Sequence, residues 1–326
     1  MRELAALLLA AATTIFAAGQ APQATLAQAS AALQAGEADK ALGLIDSALQ
    51  GAQASSAMAE AYNLKCRVLF TLDRFDDAAS ECQHAVTLDD GNSDYHLWLG
   101  RALGEKADRA SFVNAYSLAK RARAEFERAV ELNPRNAEAL ADLGEFDSSA
   151  PGVVGGGLDK AERVAGKLDK VDPARAHELR GRIAEQRKDY DLSEREFRQA
   201  IAASPHPAFQ WMTLASFLRR RERWTEMDAA VHSGLAAAAR DKHAAVALFN
   251  GASVLARSNR ETQLAVKMLE DYLASPNKTE EAPAFVAYVR LARLKEQLGD
   301  KEAAQQDRAA AVALAHDYKQ PQSHGH

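Results

Sequence analysis

The strongest constraint on what this chain can fold into is an interval of four, then three, then five residues that recurs along it. Ala122, Phe126, Ala129 and Pro134 stand at that spacing, and Ser193, Phe197, Ala200 and Pro205 repeat it. Ala161, Ala165, Leu168 and Pro173 give it a third time. Ala78, Cys82 and Ala85 fill the first three places with Asp90 at the proline's, and Ala41, Ile45 and Ala48 make a weaker match. Steps of three and four place side chains on one face of a helix. Proline cannot continue a helix, so it marks the end of each. Self-similarity at a fixed period points to a repeat architecture and away from a single globular core.

A second signature precedes the first. Leu99-Gly100, Leu143-Gly144, Arg180-Gly181, Leu214-Ala215 and Leu291-Ala292 each put a small residue inside an earlier helical segment. Short turns join the two segments, among them Asp73–Ala78, Lys188–Ser193, Glu222–Met227 and Gly299–Ala304. Phe75, Tyr190 and Trp224 take one equivalent place in those turns. Small residues let two antiparallel helices approach, and large ones fill the grooves between them. In these residues the chain resembles the tetratricopeptide repeat family, whose unit is a helix–turn–helix of about 34 residues. The resemblance implies an all-α, right-handed α-solenoid of about eight such repeats, near 22–55, 59–92, 93–136, 137–173, 174–207, 208–241, 246–279 and 285–318. Abundant alanine, the best helix former, agrees with that class. Met227, Gly234, Tyr272 and Arg308 break the small-or-aromatic rule, as expected of capping repeats whose outer face meets water.

Two repeats are oversized, which predicts enlarged turns near 104–116 and 148–158. The second contains Pro151-Gly152-Val153-Val154-Gly155-Gly156-Gly157-Leu158-Asp159-Lys160. A phosphate loop needs Gly-x-x-x-x-Gly-Lys-Ser/Thr leaving a strand. Gly152 and Gly157 have the glycine spacing, but Leu158-Asp159 stand in the Lys-Ser/Thr places and a helical segment precedes them. Asp159 suits the first turn of a helix better than a phosphate. The run therefore reads as a wide turn that folds over a groove edge or touches a partner.

Residues 1–19 carry Arg2, an uncharged run from Leu4 to Ala18 and a small-residue Ala17-Ala18-Gly19 site, the layout of a cleaved export signal. No cysteine follows for lipid attachment, so the expected location is periplasmic or secreted. The repeat domain then covers 20–318, and 319–326 reads as a flexible tail. Cys66 and Cys82 are the only cysteines. They either pair, as an exported chain permits, or serve as small buried residues in a helix interface. A formal charge of −5 argues against nucleic acid as the partner.

No motif carries catalytic chemistry, so the chain is expected not to be an enzyme and to need no cofactor or metal. The histidines lack ligand spacing, the pair His324 and His326 in the tail included. In the family that this chain resembles, the first helix of each repeat lines a concave groove that receives peptides or helices. By that resemblance the inward candidates are Asn63, Arg67, Trp98, Arg101, Asp142, Glu145, Glu178, Arg182, Arg219, Asn250, Arg257 and Arg293. Arg67, Trp98 and Arg101 are the sharpest, because Arg and Trp are favoured at binding hot spots. The expected function is a non-enzymatic scaffold in the cell envelope that docks a protein partner in the groove. The alternative is an exported small-molecule binder or transporter accessory with its ligand there.

Overall fold

Residues 23–52 and 54–318 are described in a computed structural model of the chain. The predicted signal at 1–19 and tail at 319–326 lie outside them. The described residues form antiparallel helix pairs: α1 (23–35) with α2 (Ala38–Gly51), α3 (Ser55–Thr71) with α4 (Phe75–Leu88), and α5 (Ser93–Arg109) with α6 (Phe112–Leu132). Next come α7 (Ala137–Ser149) with α8 (Leu158–Leu168), α9 (Pro173–Gln186) with α10 (Tyr190–Ala203), and α11 (Ala208–Arg220) with α12 (Trp224–Ala238). The last pairs are α13 (Ala245–Ser258) with α14 (Thr262–Ala274) and α15 (Ala284–Gln297) with α16 (Lys301–Leu314). This is an α-solenoid of helical repeats, and among the described residues no helix is long and apolar enough to cross a membrane.

The recurring interval has a direct packing explanation. A side chain on Gly100 would stand 2.6 Å from the Phe126 ring, and one on Gly181 would stand 2.7 Å from Phe197. Each aromatic of the second helix thus packs against a bare backbone of the first, so neither residue can change alone. In the second repeat Cys66 and Cys82 occupy the corresponding places and are joined by a disulfide, with Cα atoms 5.2 Å apart. That resolves the alternative left open by the sequence in favour of pairing. Helix starts are set by side chains that accept from free amides. Asn92, Asn136, Asp172, Asp189 and Asp300 each cap one, and Pro173 follows Asp172 at the first helical position.

Two expectations need correction. Residues 104–116 are not an enlarged turn: α5 and α6 run long and are separated only by Ala110 and Ser111. The extra residues contain no Gly–Pro punctuation beyond Gly104, so they extend both helices. Nor do the irregular later repeats present water-facing caps. Met227 and Tyr272 are fully buried, and Gly234 gives way to Met212 on the first helix of its own pair.

Those residues pack in the core of the later repeats, and the array also closes on itself. One core runs from Ala59 to Ile183 and a second from Phe197 to Leu294. A third joins Leu26, Leu33, Ile45 and Val68 at the start of the chain to Phe285, Val289 and Ala311 at its end. Polar contacts seal the seam. Arg67 donates two hydrogen bonds to the Glu280 carboxylate at 2.9 and 2.5 Å, and the backbone N–H of His316 donates to Asp39 at 2.9 Å. Gly36, at φ +76°, lies so close to α15 that a Cβ would be 2.3 Å from the Ala284 nitrogen.

Candidate functional site

The first helix of each pair faces inward, so closure turns an open groove into an enclosed inner face. A cavity of about 580 Å³ is bordered by Phe70, Trp98 and Arg101 from early repeats and by Phe249, Glu281 and Arg290 from late ones. The linker between α14 and α15 supplies Glu280 and Glu281 to this interior.

Most of the inward residues named from the sequence in the first half are engaged within the chain. Arg67 is held by Glu280. Arg101 donates to Asp142 at 2.5 Å and to Glu138 at 3.0 Å, and its guanidinium lies 4.6 Å from the Trp98 ring centre. Arg67 approaches the same ring at 5.4 Å, and Phe70 meets it edge-on at 5.5 Å. Trp98 is thus clamped between two cations that are themselves salt-bridged. Arg182 donates to Glu145 at 3.0 Å across neighbouring repeats. Asn63 is buried, with its side-chain oxygen unpaired. Burial pushes the Glu178 carboxyl up to about 7, against the pull of Arg182 and Arg175. Arg219, Asn250 and Arg257 instead meet in one separate cavity, shared with Arg182 and Arg290. Arg293 stands on α15, one turn beyond Arg290.

A larger cleft, about 670 Å³, opens between α5, α6, α7 and the glycine-rich turn. Its walls are apolar: Phe126 and Phe146 at the base, Ala115, Ala119 and Tyr116 on α6, and Val153 and Val154 on the turn. At its mouth Phe112 is 91% exposed, Val153 68% and Tyr116 41%. Glu105, Asp108 and Glu145 stand around it. Burial raises the Glu105 carboxyl above its ordinary value, with Arg109 acting against the shift and Asp108 and Asp73 adding to it. Burial likewise raises Asp142, although Arg101 opposes it.

The turn itself is closed by its own backbone. The amides of Val154, Gly155 and Gly156 donate to the carbonyls of Pro151, Gly152 and Pro151, and Gly157 donates to Asp147 at 2.7 Å. Four consecutive N–H groups are thereby used up, so none converges on an outside anion. Gly155 needs its φ of +104°, and a Cβ on Gly156 would lie 2.0 Å from the Ala150 oxygen. Beneath the turn, the deeply buried Asp147 carboxylate accepts from Arg123 Nε at 2.7 Å. The glycines therefore serve to fold the turn tightly enough to wall the cleft.

Residues 174–207 and 286–315 match the Tetratricopeptide repeat family, and these spans are the fifth and eighth helix pairs. Those two helix pairs are tetratricopeptide repeats. No curated protein matches it significantly in sequence. Among solved structures it is similar to a thermophilic tetratricopeptide protein of Thermus thermophilus, with 21% identity over 61% of this chain and 99% of that one, TM-score 0.49. It is also similar to a tetratricopeptide repeat protein of Parabacteroides merdae, with 15% identity over 91% and 94%, TM-score 0.47.

Several features of this helical array have no clear signal in the sequence. Arg290 lies three residues before Arg293, on the same helical face, and that spacing alone was enough to include it. Phe112 and Tyr116 fall where the spacing predicts a turn, which hides the face they share on α6. Glu280 and Glu281 have no local signal, because their partners are remote in the chain.

Proposed function

We propose that this protein is a non-enzymatic interaction scaffold, exported from the cytoplasm, whose apolar cleft receives a basic amphipathic segment of a partner protein. The observation that carries this reading is the cleft beside the glycine-rich turn. Its mouth leaves Phe112 and Val153 in water, where isolated large apolar groups gain most from being covered. The apolar surface continues outside the cavity, which suits a protein segment lying across it. A small ligand would instead be largely engulfed. Glu105, Asp108 and Glu145 favour lysines or arginines beside the apolar residues of that segment. The raised Glu105 carboxyl fits an arriving cation, which relieves part of its desolvation. The inner face near Arg67 and Arg101 is a weaker docking site, because a partner there first has to break bidentate internal pairs. The disulfide supports export, since such bonds persist in oxidising compartments.

The test is fluorescence anisotropy with two labelled amphipathic peptides, one of leucine and lysine and one of leucine and glutamate. The lysine peptide is expected to bind, and Phe112→Ser with Tyr116→Ser to weaken it at least tenfold, about 1.4 kcal/mol. Equal binding of both peptides, or no effect of the double substitution, overturns the proposal.

A further inference from the structure

The second cavity, about 410 Å³, differs from everything else on the inner face in its charge. Arg219 on α11, Arg257 on α13 and Arg290 on α15 all border it. Arg182 and Arg220 border it too, but they are occupied by Glu145 and by a bidentate pair with Glu185 at 2.8 Å. No carboxylate among the described residues pairs with Arg219 or Arg257, elsewhere the rule for the inward arginines. Arg290 contacts only neutral groups: it donates to the Ser253 hydroxyl and lies 4.1 Å from the Phe249 ring centre.

The three cations act on one another. Burial and the neighbouring Arg257 and Arg293 push the Arg290 guanidinium down to about 10. Burial first, then Arg257 and Arg220, lowers Arg219 as well. One acid, Glu281, borders the same cavity. Its own carboxyl is raised by burial, and the cations acting on it are Arg101 and Arg175, not this trio. Three positive charges therefore border one cavity that holds a single acid, Glu281. Keeping guanidinium groups close together and partly buried without an anion costs free energy, which a bound anion returns.

We infer that the cavity bordered by Arg219, Arg257 and Arg290 is a binding site for a small multivalent oxyanion, with phosphate or carboxylate oxygens received by the guanidinium groups. Planar guanidiniums match both oxygen geometries in paired hydrogen bonds. The Asn250 amide adds a neutral donor at the same wall, while the Ser253 hydroxyl, which donates to the Phe249 carbonyl at 2.7 Å, holds Arg290 in place. Because the three arginines come from three successive repeats and the array is closed, an anion there ties α11, α13 and α15 together. The site is separate from the apolar cleft and independent of what that cleft receives.

The experiment is thermal unfolding and titration calorimetry of the intact protein with inorganic phosphate and with citrate, against sodium chloride at matched ionic strength. Either oxyanion is expected to raise the midpoint at millimolar concentration beyond the chloride control, and the stronger of the two names the oxygen chemistry preferred. Arg257→Gln is expected to abolish that rise while leaving the anion-free protein as stable or more stable, since it removes repulsion. That second readout separates a binding role from a structural one. Glu281→Gln, which removes the one acid, is expected to strengthen anion binding. If neither oxyanion exceeds chloride, or if Arg257→Gln shows an undiminished rise, the site is refuted. An anion-free Arg257→Gln protein that is markedly less stable also refutes it, because the arginine then serves the fold.

Discussion

Two glycines in equivalent turns provide a controlled test of closure. Gly36 links α1 to α2 at φ +76°, and Gly299 links α15 to α16 at φ +88°. Replacing either by alanine forces a left-handed conformation that costs an L-residue about 1–2 kcal/mol. The reduced freedom of the unfolded chain offsets about 0.4–1 kcal/mol of that. At Gly299 nothing lies within 4 Å of the added Cβ, so about 1 kcal/mol is the whole effect. At Gly36 the Cβ would stand 2.3 Å from the Ala284 nitrogen, where ordinary contact begins near 3.4 Å. The obstacle is backbone at the start of α15 and cannot rotate aside, so α15 has to retreat by roughly 1 Å in a close-packed seam. Overpacking of this kind costs about 1–3 kcal/mol. Gly36→Ala is therefore expected to lose about 2–4 kcal/mol in urea unfolding, against about 1 for Gly299→Ala. Hydrogen exchange supplies the structural half: amides of 282–290 should exchange faster in Gly36→Ala and unchanged in Gly299→Ala. If the two variants agree within about 0.5 kcal/mol and share one exchange pattern, the seam does not carry the contacts described.

Three further outcomes follow from named contacts. Removing the disulfide by Cys66→Ser with Cys82→Ser reopens a 16-residue separation and should cost about 3 kcal/mol in chemical unfolding, with the helical circular dichroism retained. Glu178 has a folded-state value near 7 against an ordinary 4.5, so the folded chain holds the extra proton between those pH values. Its contribution is fully present below about pH 4.5 and is lost as pH rises through 7. Partial contact with solvent holds the loss to about 1–2 kcal/mol; a Glu178→Gln protein should lack that decline between pH 5 and 8. Gly156→Ala puts a side chain against the Ala150 oxygen and should disrupt the turn. Helix content should survive, while affinity for the lysine-rich peptide falls about tenfold, measured by anisotropy.

Local packing rules made much of the architecture legible. The pairing of Phe126 with Gly100 and of Phe197 with Gly181 follows from the need of two close helices to set a large residue against none. Caps and prolines then mark the boundaries. Length was harder to place, because surplus residues at 104–116 fit either a turn or two longer helices until the lack of turn chemistry is given its full weight. What lay beyond reading was closure. Nothing near Gly36 announces Ala284, and nothing near Arg67 announces a carboxylate 213 positions away. The inward face of Arg67 and Arg101 was foreseeable, but whether such arginines meet an outside ligand or an inside acid depends on how the superhelix ends meet. Arg219 and Arg257 lie on the same kind of face with no such acid, a distinction that only three dimensions supply.

Closure also bears on how such a chain can vary. In an open solenoid a repeat gained or lost lengthens or shortens the array, and its neighbours scarcely register the change. Here the first and last helix pairs must arrive at one another in register, so the number of pairs is a boundary condition on the whole. Duplicating a middle unit would part Arg67 from Glu280 and Gly36 from Ala284 even if every local interface stayed intact. Terminal pairs that normally fray first are packed against one another, so local opening at either end has to break the seam.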